Sequence, residues 1–143
     1  MKQLRILLCM SMLAMFGGQN LCAQNAADDI VGYYYSEDPF TGEGSQTYIY
    51  KAADGTYEGK VCWVENVKKK SFLGLVFLKG LEFDAQNNEW KNGEIKYPGK
   101  KGTYKMYMKF TDDKKLKVRG YWGIAMLGKT MYWYQESSKR KQL

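Results

Sequence analysis

The sequence predicts an all-β domain, an antiparallel up-and-down barrel of about eight strands. Three observations predict it: apolar and polar residues alternate with period two, turn-forming residues separate these short segments, and no convincing helical periodicity occurs. Period two buries one face of each strand and leaves the other in water, as in antiparallel sheets. Closing such a sheet removes its exposed edges. A two-sheet sandwich is the competing architecture.

Eight segments carry the strand pattern, and short connections between them favour consecutive hairpins. The alternation is cleanest in the sixth and seventh segments, where every second residue is apolar or glycine over most of the length. The polar, basic end of the chain, Ser137 to Leu143, is predicted to be frayed. The predicted strands are residues 30–36, 47–51, 57–64, 75–83, 89–97, 103–110, 116–122 and 130–135.

The N-terminus has the pattern of a secretory signal peptide. Two basic residues precede an apolar run from Ile6 to Phe16, and a polar stretch then leads to the small residue Ala23. We expect cleavage after Ala23, which removes residues 1–23 and leaves residues 24–143 as one domain in the periplasm or outside the cell. The apolar run is shorter than the roughly 20 residues that a membrane-spanning helix needs, and we expect no such helix in the mature chain.

Two alternatives for the N-terminus stay open, a lipid-anchored precursor at Cys22 and a genuine core helix. Leu21 stands where the lipoprotein signal prefers a small residue, which disfavours the first. Cleavage lowers the formal net charge from +7 to +5 and leaves Cys62 as the single cysteine. The mature domain therefore has no internal disulfide and depends on its core for stability.

The composition excludes several kinds of catalytic site. Because the chain has no histidine, Ser-His-Asp and Cys-His nucleophiles and imidazole zinc sites are excluded. Residues 84–88 imitate the start of a calcium loop, but Glu89 and Ile95 replace its required Gly and Glu, so we interpret them as a hairpin turn. Cys62 is interpreted as an inert thiol that is either packed or partly exposed.

We therefore expect a protein that is not an enzyme, with no cofactor and no bound metal, that acts as a monomer. An enzyme of unknown type remains as a further hypothesis, because carboxylates and tyrosines alone perform acid–base chemistry. Export and the modest positive charge argue against binding to nucleic acid.

The 12 Tyr, 4 Trp and several Met residues favour a barrel interior that holds a small hydrophobic or amphipathic molecule. Arg119 and Tyr121 share the opposite face of the seventh strand. If that face lined the interior, Arg119 would anchor an anionic head group, whereas outward display is the alternative. The other candidate ligand-binding residues, all expected to face the interior, are Tyr48, Tyr50, Trp63, Tyr104, Met106, Met108, Val118 and Trp122.

Two connections are unusually apolar, residues 72–78 and residues 123–128. Loops normally carry polar side chains because they face water. We expect these segments to cover each other, plug one end of the barrel or form a lid, with Lys68 to Lys70 solvated beside them. The alternative function follows from them: a structural or interaction protein of the cell envelope with a filled core, docking through these two segments.

The stretch LKVRGYWGI at residues 116–124, with LGKT at 127–130 and Trp133, resembles the bacterial DUF2147 family of exported domains. Two positions depart from the family pattern: Tyr97 stands where an Asp usually precedes the proline, and Tyr134 and Gln135 replace an Arg after the last Trp. The resemblance implies a lipocalin-like barrel and no assigned activity. Further matching motifs are Gly32-Tyr33-Tyr34, Gly59 to Trp63, Leu73-Gly74-Leu75, Leu78 to Leu81, and Trp90 to Tyr104.

Overall fold

The computed structural model describes residues 26–121 and 129–143, which form a closed antiparallel barrel. Each strand pairs with the next, and β8 pairs back with β1. The barrel is confirmed and the sandwich alternative is wrong. The strands are β1 (Gly32–Glu37), β2 (Gly44–Lys51), β3 (Tyr57–Val64), β4 (Val76–Asp84), β5 (Glu89–Ile95), β6 (Tyr104–Phe110), β7 (Leu116–Tyr121) and β8 (Thr130–Glu136).

Period-two alternation sets which side chains face the interior. In β6 and β7, Met106 lies opposite Gly120 and Met108 lies opposite Val118. Met106, Met108 and Val118 are almost completely buried, whereas Lys105 and Lys109, which flank the two methionines in β6, are exposed. The cleanest sequence alternation thus corresponds to a cleanly two-faced hairpin.

One end of the barrel is closed by the N-terminal turn, and we call it the packed end. The hairpins at residues 52–56, 85–88 and 111–115 lie here, and the N-terminal turn at residues 26–31 closes the interior. Ile30 is fully buried, and the indole Nε1 of Trp90 donates a hydrogen bond to the backbone carbonyl of Ala27 at 3.0 Å. Such closure hides the apolar floor of the barrel from water.

Gly93 in β5 makes room for two large side chains at the centre of the barrel. A Cβ atom at this position would stand 2.5 Å from the Sδ atom of Met106 and 2.7 Å from a methyl group of Leu81. Contacts this short force a neighbouring side chain to move. The glycine is therefore a packing requirement of the interior.

The C-terminal residues 137–143 are ordered against the barrel, so the predicted frayed end is wrong. We call this segment the C-terminal strap. The Arg140 guanidinium lies between the rings of Tyr35 and Trp63, 4.7 Å from each centroid. The amide of Gln142 exchanges two hydrogen bonds with the backbone of Val64, at 2.9 and 3.0 Å. These contacts stabilise the strap on the outer face of β1 to β3.

The other end holds the connections at residues 38–43, 65–75 and 96–103, and we call it the cavity end. A 3-10 helix, Val67–Phe72, forms within the second of these connections. The predicted apolar segment 72–78 divides between two environments: Leu75 is 46% exposed, whereas Phe77 and Leu78 are buried in β4. Residues 123–128, the other apolar segment, lie outside the described part of the chain.

Candidate ligand-binding cavities at one end of the barrel

The cavity end contains two neighbouring cavities among the described residues. The first, which we call the apolar cavity, has a volume of about 310 Å³. The second, the polar-rimmed cavity, has a volume of about 260 Å³ and lies under the 3-10 helix. Cavities that hold drug-sized ligands measure roughly 300–1,000 Å³. The apolar cavity is lined by Pro39, Phe40, Ile95, Tyr97, Tyr104, Met106, Val118, Gly120, Lys129 and Met131.

Phe40 forms the aromatic wall at the mouth of the apolar cavity, and its side chain is 48% exposed. Two ammonium groups approach its ring: Lys100 Nζ stands 5.1 Å and Lys129 Nζ 5.9 Å from the centroid. These distances are those of cation–π contacts. Lys129 lines the apolar cavity, and Lys100 lines the second cavity while it lies over the same Phe40 ring. An apolar cavity with these cations around its aromatic wall is suited to a molecule with an apolar body and an anionic head.

Tyr97 stands between the two cavities and lines both of them. Its ring meets Phe40 edge-on at 5.5 Å and Tyr104 at 6.0 Å between centroids. Its hydroxyl donates to the Sδ atom of Met131 at 3.6 Å. Burial, with a smaller effect from the Asp38 carboxylate, raises the pKa of Tyr97 well above its usual range. The phenol therefore stays protonated and remains a hydrogen-bond donor at neutral pH.

A cluster of polar groups forms the rim of the second cavity. The Glu43 carboxylate accepts hydrogen bonds from Lys69 Nζ and from Asn66 Nδ2, the latter at 2.9 Å. The hydrogen bond from Lys69 is the largest cause that lowers the pKa of Glu43, and that from Asn66 is the next. These bonds tie the connection at residues 38–43 to the 3-10 helix.

Several predicted ligand-binding residues do face the interior. Tyr104, Met106 and Val118 line the apolar cavity. Met108 also points inward but lies deeper, completely buried towards the packed end. The side chain of Tyr121 and all of Trp122 lie outside the described part of the chain.

Tyr48 and Tyr50 were predicted to face the interior, and this is wrong. Ile49 between them is completely buried, so both tyrosines point outward from β2. Their rings stack at 5.8 Å, and Lys60 lies over both. The Tyr50 hydroxyl donates to the Glu58 carboxylate at 2.7 Å. Tyrosine tolerates the outer face because its ring packs on neighbours while its hydroxyl reaches a polar partner or water.

The inward placement of Trp63 is also wrong. A β-bulge interrupts the β2–β3 ladder, so that Gln46 pairs with Trp63 but Thr47 pairs with Val61. The extra residue reverses the alternation beyond Val61. Val64 is therefore buried, and Trp63 lies outside against Arg140 of the C-terminal strap.

Arg119 lies on the outer face of β7, as the alternative expectation had it. Its Nη1 donates to Thr130 Oγ1 at 3.3 Å, in an exposed position. Arg119 therefore does not supply an interior anchor for an anion. The cations near the apolar cavity are instead the two over the Phe40 ring, Lys100 and Lys129. Sequence reasoning missed both because they come from two separate connections.

Cys62 is covered by the C-terminal strap on the outer face of β3. Its Sγ atom lies 3.1 Å from the Gln46 side-chain oxygen. Burial raises the pKa of the Cys62 thiol to about 11, opposed by smaller effects of Lys139 and Lys60. A thiol with a pKa this high holds little thiolate at neutral pH, which accords with an inert side chain.

The described ranges 26–121 and 129–143 contain no group of three or more acidic, cysteine or histidine side chains arranged to hold a metal ion. Within the same residues, no helix is both long enough and apolar enough to cross a bilayer.

Barrel and cavities together define a lipocalin-like protein of the all-β class. The chain belongs to the DUF2147 family, described as an uncharacterized protein conserved in bacteria, whose family model matches residues 32–135. The resemblance drawn from the sequence motifs is thereby confirmed. No curated protein matches the sequence at a significant level.

One solved structure with a similar fold is the protein HP1028 from the human pathogen Helicobacter pylori, described as belonging to the lipocalin family. The two structures superpose with a TM-score of 0.60 at 16% sequence identity. The match covers 76% of this chain and 84% of the other. At this identity the similarity establishes the shared fold.

Proposed function

We propose that this protein binds a small amphipathic molecule with an acidic head group and does not act as an enzyme. The apolar body occupies the apolar cavity against Tyr104, Met106 and Val118. The head group lies at the mouth between the ammonium groups of Lys100 and Lys129. The signal-peptide pattern at the N-terminus supports a role in the periplasm or outside the cell. There the protein acts as a monomer in this proposal.

The observation that carries the proposal is the mouth of the apolar cavity. A half-exposed aromatic ring at a cavity entrance offers apolar surface that a ligand can cover, and covering it is favourable. At Phe40 the ring is flanked by two cations, and these favour an anionic group at the same place. A carboxylate carried on a hydrocarbon chain would meet both, because its chain covers the ring and its carboxylate lies near the ammonium groups.

Dodecanoate and 1-dodecanol provide the test, because they share a hydrocarbon chain and differ in charge. We expect dodecanoate to bind the mature protein, measured by titration calorimetry below the concentration at which micelles form. Replacing both Lys100 and Lys129 by alanine should weaken dodecanoate binding about five- to thirtyfold, since each exposed charge contributes roughly 0.5–1 kcal/mol. The same variant should leave dodecanol binding unchanged.

Lys101→Ala is the matched control, because it removes an exposed charge next to Lys100 that makes no described contact with Phe40. Its dodecanoate affinity should equal that of the wild type. The loss in the double variant should shrink with added salt, which screens exposed charges. Failure of both probes to bind the wild type, or equal affinities in the wild type and the double variant, would contradict the proposal.

A second candidate is the structural or interaction protein of the cell envelope. Leu75 and Val76 are 46% and 36% exposed and adjacent, which favours a contact at the start of β4. Charge substitution at Leu75 should then remove a partner in pull-down experiments without unfolding the barrel. The cavities weigh against the filled core that this candidate assumed.

A further inference from the structure

The two cavities meet at two side chains. Tyr97 and Met131 are the residues of the described chain that line both cavities. Tyr97 belongs to the connection after β5, and Met131 lies in β8 with its side chain on the inner face. The two side chains touch where the cavities meet, with the phenol hydroxyl 3.6 Å from the thioether sulfur.

This contact is easily broken. A thioether sulfur is a weak hydrogen-bond acceptor. The Tyr97 hydroxyl therefore loses little hydrogen-bond energy when it leaves the sulfur and donates to an oxygen atom. Methionine is unbranched and has three rotatable side-chain bonds, so Met131 adapts its shape at low cost. Pro98 restricts the backbone of Tyr97, and the ring therefore moves by its own side-chain torsions.

The far side of Tyr97 and Met131 offers an apolar surface to a ligand that passes them. Beneath the polar rim, the second cavity is lined by Val61, Val64, Phe72, Phe77 and Trp133. Phe77 and Trp133 are in ring contact at 6.2 Å and are almost completely buried. A hydrocarbon chain extended past Tyr97 would thus remain in apolar surroundings, and its burial would be favourable.

We infer that Tyr97 and Met131 form a partition that sets the length of the hydrocarbon chain which this protein accepts. With the partition closed, the chain ends in the apolar cavity. With the partition open, it continues into the polar-rimmed cavity. This inference rests on the proposed function, since it assigns ligand-length specificity to the same site.

Saturated carboxylates from hexanoate to hexadecanoate test the partition. In the wild type, affinity should rise about fourfold with each added methylene group until the apolar cavity is full, and then stop rising. In Tyr97→Ala the rise should continue to longer acids, so that the tightest-binding acid is at least two methylene groups longer. Tyr97→Phe keeps the ring and should keep the wild-type length limit.

Phe72→Ala is the matched control, because Phe72 lines the polar-rimmed cavity alone. It enlarges the space behind the partition and should leave the length limit of the wild type unchanged. In the Tyr97→Ala background the same substitution should extend the limit further. Met131→Ala opens the partition from β8. If Tyr97→Ala fails to fold, this variant tests whether the partition sets the length limit.

The outcomes separate the inference from the function on which it rests. A wild type that binds none of the acids overturns the proposed function. A wild type that binds them, with the same length limit in Tyr97→Ala and Met131→Ala, overturns the partition alone. A longer limit in Phe72→Ala by itself would also overturn it, because the chain would then already reach the second cavity.

Discussion

Replacing Trp90 by alanine is expected to lower the free energy of unfolding by about 3–5 kcal/mol, the usual cost of removing a buried Trp. The Trp90 side chain is 1% exposed and packs against Phe83 and Phe110, with ring centroids at 5.0 and 5.6 Å. The substitution removes this packing and leaves the Ala27 carbonyl without the indole donor. Urea unfolding followed by circular dichroism measures the change.

Trp63→Ala is the control for this prediction, because it removes the same side chain from the outer face. Trp63 packs on the Arg140 guanidinium, a contact of about 0.5–1 kcal/mol at exposed sites. We expect a much smaller loss of stability than for Trp90→Ala. Equal losses in the two variants would mean that the inner and outer faces of the barrel are assigned wrongly.

Deleting the C-terminal strap, residues 137–143, is expected to make Cys62 reactive. In the full chain burial raises the pKa of the thiol to about 11, and an exposed cysteine has a pKa near 8.5. Since the thiolate is the reactive form, alkylation by iodoacetamide at pH 8 should accelerate by more than about tenfold on deletion. In the full chain the rate should keep rising with pH up to about 11.

The strap deletion also removes the hydrogen bonds that Gln46 makes with Ser138 and Arg140, each at 2.9 Å. Circular dichroism must therefore show that the shortened barrel remains folded while Cys62 reacts. Lys139→Ala is the matched control, because it removes the strap cation that acts on the Cys62 pKa and leaves the strap in place. An alkylation rate unchanged by the deletion would show that the strap does not shield the thiol.

The sequence predicted the strands and the inner face of β6 and β7 because their alternation is uninterrupted. Met106, Met108 and Val118 follow directly from period two. The outward direction of Trp63 does not follow from period two, since a bulge adds one residue to the β3 side of the ladder and no residue type marks the bulge. The predicted inward direction of Tyr48 was wrong for another reason, because tyrosine is both apolar and polar and fits either face of a sheet.

The cavity mouth was beyond sequence reasoning. Phe40, Lys100 and Lys129 come from separate parts of the chain and meet only when the barrel closes. The strap contact of Arg140 with Trp63 is equally non-local, joining residues far apart in the sequence. Tyr97 was placed at the end of the fifth strand, and only the structure shows it between two cavities.

The proposed binding site is tested most directly by nuclear magnetic resonance of protein labelled at its methionine methyl groups. Met106 and Met131 line the apolar cavity, whereas Met108 lies completely buried outside it. Saturating dodecanoate should shift the methyl signals of Met106 and Met131 and leave that of Met108 in place. Bound dodecanoate with the first two signals unmoved would contradict a ligand in the apolar cavity.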